Sequence, residues 1–126
     1  VKYNGDGSFG WHTAVKGYFD EEFNAIEATN DGYVAVGSSC SSNRDLKAVG
    51  NRGGSDALVV TFSNGGSLKS IQSYGGSRDD SFGGVCVLSD GQIIACGSTY
   101  SDNGDLIGSK YLSSGSASMG MIARFK

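Results

Sequence analysis

The chain has 126 residues, 21 of them Gly and none Pro, with 18% charged residues, a net charge of -3 and a pI near 4.9. Low charge and frequent Gly point to many short strands joined by turns rather than to helices or a disordered tail. The acidic balance excludes nucleic acid or an anionic membrane as the main partner, since both need a basic stripe that releases counterions, and no apolar run approaches the ~18 residues that would form a membrane span.

Strand candidates follow one another between turn signals. In chain order they lie near residues 9–15, 22–29, 33–38 and 56–62, then near 68–74, 82–88, 92–99 and 120–125. Asp31-Gly32 and Asp90-Gly91, each between apolar runs, read as two-residue hairpin turns in which Gly takes the positive φ. Asn4-Gly5-Asp6-Gly7 and Asn64-Gly65-Gly66 mark two further hairpins. The stretch from Gly5 to Gly10 matches the Gly-x-Gly-x-x-Gly nucleotide fingerprint by letter, yet strand residues follow it where the fingerprint needs a helix, so it reads as a turn.

These candidates form two copies of one pattern. Asp20, Phe23 and Asp31 recur 59 residues later as Asp79, Phe82 and Asp90, and Gly37, Asn43, Asp45 and Leu46 recur 60 residues later as Gly97, Asn103, Asp105 and Leu106. Phe62 and Phe125 are 63 apart, so the length changes fall in loops. The chain divides into repeat 1 at residues 1–63 and repeat 2 at residues 64–126. Such a unit cannot bury its own faces and stacks on copies of itself.

Patterning within the strands selects among all-β architectures. Ala57-Leu58-Val59-Val60 and Ile93-Ile94-Ala95-Cys96 are apolar at consecutive positions, so both faces of those strands are expected to be covered. Two four-stranded antiparallel β-propeller blades meet that demand, as part of a larger propeller or completing one by oligomerisation. Val1-Lys2-Tyr3 and Arg124-Phe125 fall at one repeat position, that of Val60-Thr61-Phe62, as in a unit cut from a periodic array or made to join others head to tail. The partners expected are further blades, from copies of the chain or from a parent chain.

Asp31-Gly-Tyr-Val-Ala-Val-Gly37, Ser41-Ser-Asn-Arg-Asp-Leu46, Gly53-Gly-Ser-Asp56 and Ser73-Tyr-Gly-Gly-Ser-Arg-Asp-Asp80 carry a family likeness. In that order the chain resembles the long propeller repeats of secreted and cell-surface bacterial proteins, which are similar in strand layout to kelch-type blades. Trp11 fills the place of an aromatic common in that family, and Ser70 stands there in the second copy. The resemblance implies an extracellular or cell-surface binding or structural module and implies no reaction.

Residues 38–55 and 98–118 form two long segments at equivalent repeat positions, and long loops on one rim are a common place for binding. On that rim Arg44, Asn51, Arg52, Tyr100, Lys110 and Tyr111 are the candidate ligand-binding residues, for a glycan or a protein. Tyr18, Phe19, Tyr33, Tyr100 and Tyr111 could serve as stacking platforms for sugars or peptides, although such residues more often wedge between blades. Asn43, Asp45, Asp102, Asn103 and Asp105 offer the oxygen ligands calcium prefers, but their spacing matches no EF-hand and capping of turns is the simpler reading.

The acids Asp20-Glu21-Glu22 and Asp79-Asp80 could suit a glycosidase. Their matching repeat positions favour a structural role instead, accepting hydrogen bonds from the turn before a strand. His12 stands alone beside Trp11. Cys40, Cys86 and Cys96 read as small buried hydrophobes, and a two-residue turn at Asp90-Gly91 would send Cys86 and Cys96 to opposite faces. The function expected is a non-enzymatic recognition or attachment module without a cofactor. The alternatives are a self-assembling ring or filament unit and the propeller domain of a polysaccharide-active hydrolase.

Overall fold

A computed structural model describes residues 1–106 and 117–125. The fold is all-β, with antiparallel sheets of two, four and three strands. β1 (Lys2–Tyr3) and β2 (Phe9–Trp11) form a small hairpin. β3 (Glu21–Thr29), β4 (Gly32–Ser39), β5 (Asp56–Ser63) and β6 (Leu68–Tyr74) form the four-stranded sheet in sequence order, and β7 (Asp80–Val87), β8 (Ile93–Thr99) and β9 (Met119–Phe125) form the three-stranded one.

The expectation of two four-stranded sheets is met by one. The second sheet has three strands among the described residues, and no sheet closes. The sheets also run out of phase with the sequence repeat. β6 lies in the stretch 64–126, yet it completes the sheet begun by β3, β4 and β5, because the Asn64-Gly65-Gly66 turn folds β6 directly back onto β5.

β2 ends at Trp11 rather than Val15, for a plain reason: its partner β1 has two residues, and the ladder stops where the partner stops.

Hairpin chemistry differs from the sequence reading at both Asp-Gly turns: the first is Asn30-Asp31, with Gly32 already in β4 and not at positive φ. At Asp90-Gly91 the loop is three residues long, closed by Leu88 N–H to Gln92 O at 2.8 Å, with Gly91 at φ 83°. The extra residue shifts the register, so that Cys86 lies opposite Ile94 and Cys96 opposite Gly84. The two thiols therefore share a face, diagonally placed, and do not point apart. All three cysteines are exposed rather than buried. At Asn30-Asp31 the loop has two residues, and Gly32 is required there by a close approach: a Cβ would stand 1.8 Å from the Phe62 carbonyl oxygen.

The sheets pack face to face. Val34, Val36, Ala57 and Val59 from β4 and β5 meet Phe82, Ala95, Met121 and Phe125 from β7, β8 and β9. The opposite face of the four-stranded sheet gathers Ala35, Leu58, Val60 and Phe62 with Val15 and Leu46. Both faces of β5 are thus covered, as its run of four apolar residues demands, and Ala57 to Val60 are all buried. β8 behaves differently: Ala95 is buried while Cys96 is exposed, so the outer face of the three-stranded sheet stays open.

Candidate functional site

One polar arrangement appears twice along the edge where the long loops emerge. In the first copy the Glu21 carboxylate accepts from Gly17 N–H (2.8 Å) and Ser39 Oγ–H (2.9 Å), Ser41 Oγ accepts from Phe19 N–H (2.9 Å), and the Asp45 carboxylate accepts from Lys16 N–H (2.8 Å). In the second, Asp80 accepts from Gly76 N–H (2.8 Å) and from Thr99 Oγ1–H, Ser101 Oγ accepts from Arg78 N–H (3.0 Å), and Asp105 accepts from Gly75 N–H (3.2 Å). Each copy ties the segment leaving the last strand of one sheet to the first strand of the next and to a short 3-10 turn, Arg44–Leu46 or Gly104–Leu106. Charge-assisted bonds of this kind hold a loop more firmly than neutral ones.

Glu21 and Asp80 thus hold backbone, as their shared repeat position suggested. Asp79 joins them, its Oδ1 accepting from Ser55 N–H at 3.0 Å.

Between the two sheets the acids crowd together. Asp56 and Asp80 are each 1% exposed, and a Cβ built on Gly75 would come within 2.6 Å of Asp56 Oδ1 and of Asp80 Oδ2. Arg52 partly neutralises the cluster through Asp56 Oδ2 and Asp105 Oδ2, both at 3.1 Å, and so joins the two long segments. Asp56 Oδ1 is left buried with no hydrogen-bond partner. Burial pushes the Asp56 carboxyl above the usual carboxylate range; Arg52 opposes this and the nearby Asp80 charge adds to it.

The candidate rim residues separate into classes. Arg52 is part of the acid cluster, and Asn51 holds its own loop, donating to Ser39 O and Gly54 O while accepting from Gly53 N–H. Tyr100 is 36% exposed, and its carbonyl accepts from Arg78 Nη1 at 3.4 Å. Lys110 and Tyr111 lie outside the described residues. Of the calcium candidates, Asp45 and Asp105 accept from backbone as above, Asn103 Oδ1 accepts from Ser77 N–H at 2.8 Å, Asn43 Oδ1 is buried without a partner, and Asp102 is exposed. No cluster of three or more His, Cys, Asp or Glu side chains suited to a metal occurs among the described residues.

Arg44 differs from the rest. It is the one non-Gly residue at positive φ among the described residues, at 51°, and its guanidinium lies 4.5 Å from the centre of the Tyr18 ring. Tyr18 is 68% exposed and Phe19 beside it 67%. In the second repeat the corresponding residues are Gly104, at φ 65°, with Ser77 and Arg78, so neither the guanidinium of Arg44 nor the ring of Tyr18 is repeated at its own position.

Sequence reasoning named both Arg44 and Tyr18 but did not pair them. The signal was available: Gly104 occupies the same repeat position, and a side chain replacing Gly in a left-handed turn needs a reason.

No family profile, curated protein or solved structure matches this chain.

Proposed function

We propose that the chain is a pair of β-propeller-type repeats from a secreted or cell-surface recognition module, in which Tyr18, Phe19 and Arg44 contact a carbohydrate bearing carboxylates. The observation that carries this reading is Arg44 itself. A left-handed backbone costs an L residue roughly 1 kcal/mol or more, while an exposed cation–π contact returns about 0.5–1 kcal/mol. Folding alone gives Arg44 no clear advantage over the Gly of the second copy, and binding supplies one. Aromatic faces suit the apolar faces of sugar rings, and a planar guanidinium suits a carboxylate.

The propeller arrangement is supported by face-to-face sheets that repeat with the sequence and by loops gathered on one edge. A structural role for Glu21, Asp79 and Asp80 is supported by the backbone amides that their carboxylates hold.

The reading is tested by retention of the chain on immobilised neutral and uronate-bearing polysaccharides. Uronate polymers should retain the wild type, and Tyr18→Ala should weaken retention while leaving the circular dichroism unchanged. Equal retention of wild type and variant would remove the platform from consideration.

A further inference from the structure

The chain contains one complete joint between sheets and the two halves of another, one open and one only partly so. Inside it, Val34, Val36, Ala57 and Val59 pack on Phe82, Ala95, Met121 and Phe125. One repeat onward, the places of the first set are taken by Ile94, Cys96, Gly120 and Ile122. That face is open, with Cys96 exposed and Ile122 79% exposed. One repeat back, the places of the second set are taken by Phe23, Ala35, Leu58 and Phe62. Three of these, Phe23, Ala35 and Phe62, line an open cleft of about 490 Å³ beside the β1–β2 hairpin. On this second face Ala35, Leu58 and Phe62 are already buried in the single chain, at 3%, 1% and 6% exposure, and the opening lies at Phe23, 41% exposed where its equivalent Phe82 is 0%.

The strand edges correspond as the faces do. β5 pairs Thr61 with Ser70 and Phe62 with Leu68 across an irregularity in register, and β1 pairs Lys2 with Trp11 and Tyr3 with Phe9 across the same irregularity. β2 is therefore the counterpart of β6, the strand that completes the four-stranded sheet. β9 pairs with β8 alone, so among the described residues its other edge has no strand where β5 has β6.

We propose that the occupant of both openings is a second copy of this chain, joined head to tail. β2 of one copy pairs with the free edge of β9 of another, in the register of β6 on β5, which sets Arg124 opposite Trp11 and Phe125 opposite Phe9. The open face around Ile94, Cys96 and Ile122 then covers Phe23 and Ile26. Lys2 and Tyr3 leave β2 as Arg124 and Phe125 take their place, so the joint is a strand exchange. Because the two surfaces differ, the contact is heterologous, and its rotation decides between a closed ring and a filament. An unpaired edge beside an open apolar face is the form of surface that recruits a further strand.

Sedimentation velocity across a dilution series, read together with maleimide labelling, tests this. Ile122 touches little in the single chain, so Ile122→Glu should keep the wild-type circular dichroism. The wild type is expected to sediment at multiples of the chain mass, and Ile122→Glu as a monomer. Cys86 and Cys96 are expected to label several-fold more slowly in the wild type than in Ile122→Glu, with Cys40 labelling equally in both. Removal of residues 1–3 frees β2 and is expected to shift assembly to lower concentration. A wild type that stays monomeric with Cys86 and Cys96 labelling at the variant's rate would overturn the proposal. So would an oligomer that Ile122→Glu leaves intact, and a weaker association on removing residues 1–3 would overturn the strand exchange.

Discussion

Arg44 and Gly104 hold the same left-handed place in successive repeats, at φ 51° and 65°, although one is the longest cationic side chain and the other has none. A backbone conformation set by the fold is thus filled once by the residue that fits it freely and once by a residue that does not. Arg44→Gly should therefore leave stability within about 1 kcal/mol of wild type, since the relieved strain and the lost stacking on Tyr18 are of similar size. A urea titration checks this. A loss well beyond that range would give Arg44 a structural role.

Gly75 separates the buried carboxylates of Asp56 and Asp80, with 2.6 Å between each and any added Cβ. Gly75→Ala should destabilise by about 1–3 kcal/mol, the usual cost of forcing atoms into a filled interior. Gly5→Ala, where no atom lies within 4 Å, is the control and should change little. Equal effects from the two would mean the acids can move apart freely.

Asp56 carries a pH dependence whose sign follows from its raised pKa. The folded chain keeps the Asp56 proton at a pH where the unfolded chain, with the ordinary value of 3.8, has released it. Its cost to stability is absent below pH 3.8 and grows as pH rises through the raised value. Asp56→Asn keeps an acceptor for Arg52 and supplies a donor toward Asp80. It should be more stable than wild type at neutral pH, with the gain shrinking toward pH 3.8. Urea midpoints over that range test it, and a gain independent of pH would contradict the account.

Phe82 and Phe23 are repeat equivalents with opposite surroundings, 0% and 41% exposed. Phe82→Ala should cost about 3–5 kcal/mol, as for a fully buried aromatic. In dilute monomer Phe23→Ala should cost clearly less, because less of its ring leaves water on folding. Thermal unfolding of the two variants at low concentration gives the comparison, and equal losses would mean that Phe23 is covered in the single chain.

Strand positions were legible because Gly, Asn and Asp punctuate apolar runs, and β3 through β9 lie within a residue or two of the positions read from sequence. The holding role of Glu21 and Asp80 was legible from their shared repeat position. The phase of the sheets was not, because the Asn64-Gly65-Gly66 turn that ends one sequence repeat is also the hairpin that binds β6 to β5. Nor was the face shared by Cys86 and Cys96, since one extra loop residue, Ser89, moves every side chain across the sheet. The site was legible only in part: Arg52 and Arg44 sit on the same long segment, and only three-dimensional proximity sends one to Asp56 and Asp105 and the other to Tyr18.

The most direct test of the recognition reading is isothermal titration of a uronate oligosaccharide into the wild type, Arg44→Gly and Lys69→Ala. Losing one charge-assisted contact should weaken binding by Arg44→Gly roughly tenfold, the equivalent of about 1.4 kcal/mol, with Lys69→Ala binding more nearly as the wild type does because its ammonium pairs with Asp31 at the β3–β4 turn, away from the platform. Equal affinity for all three proteins, or no heat with any of them, would contradict the account.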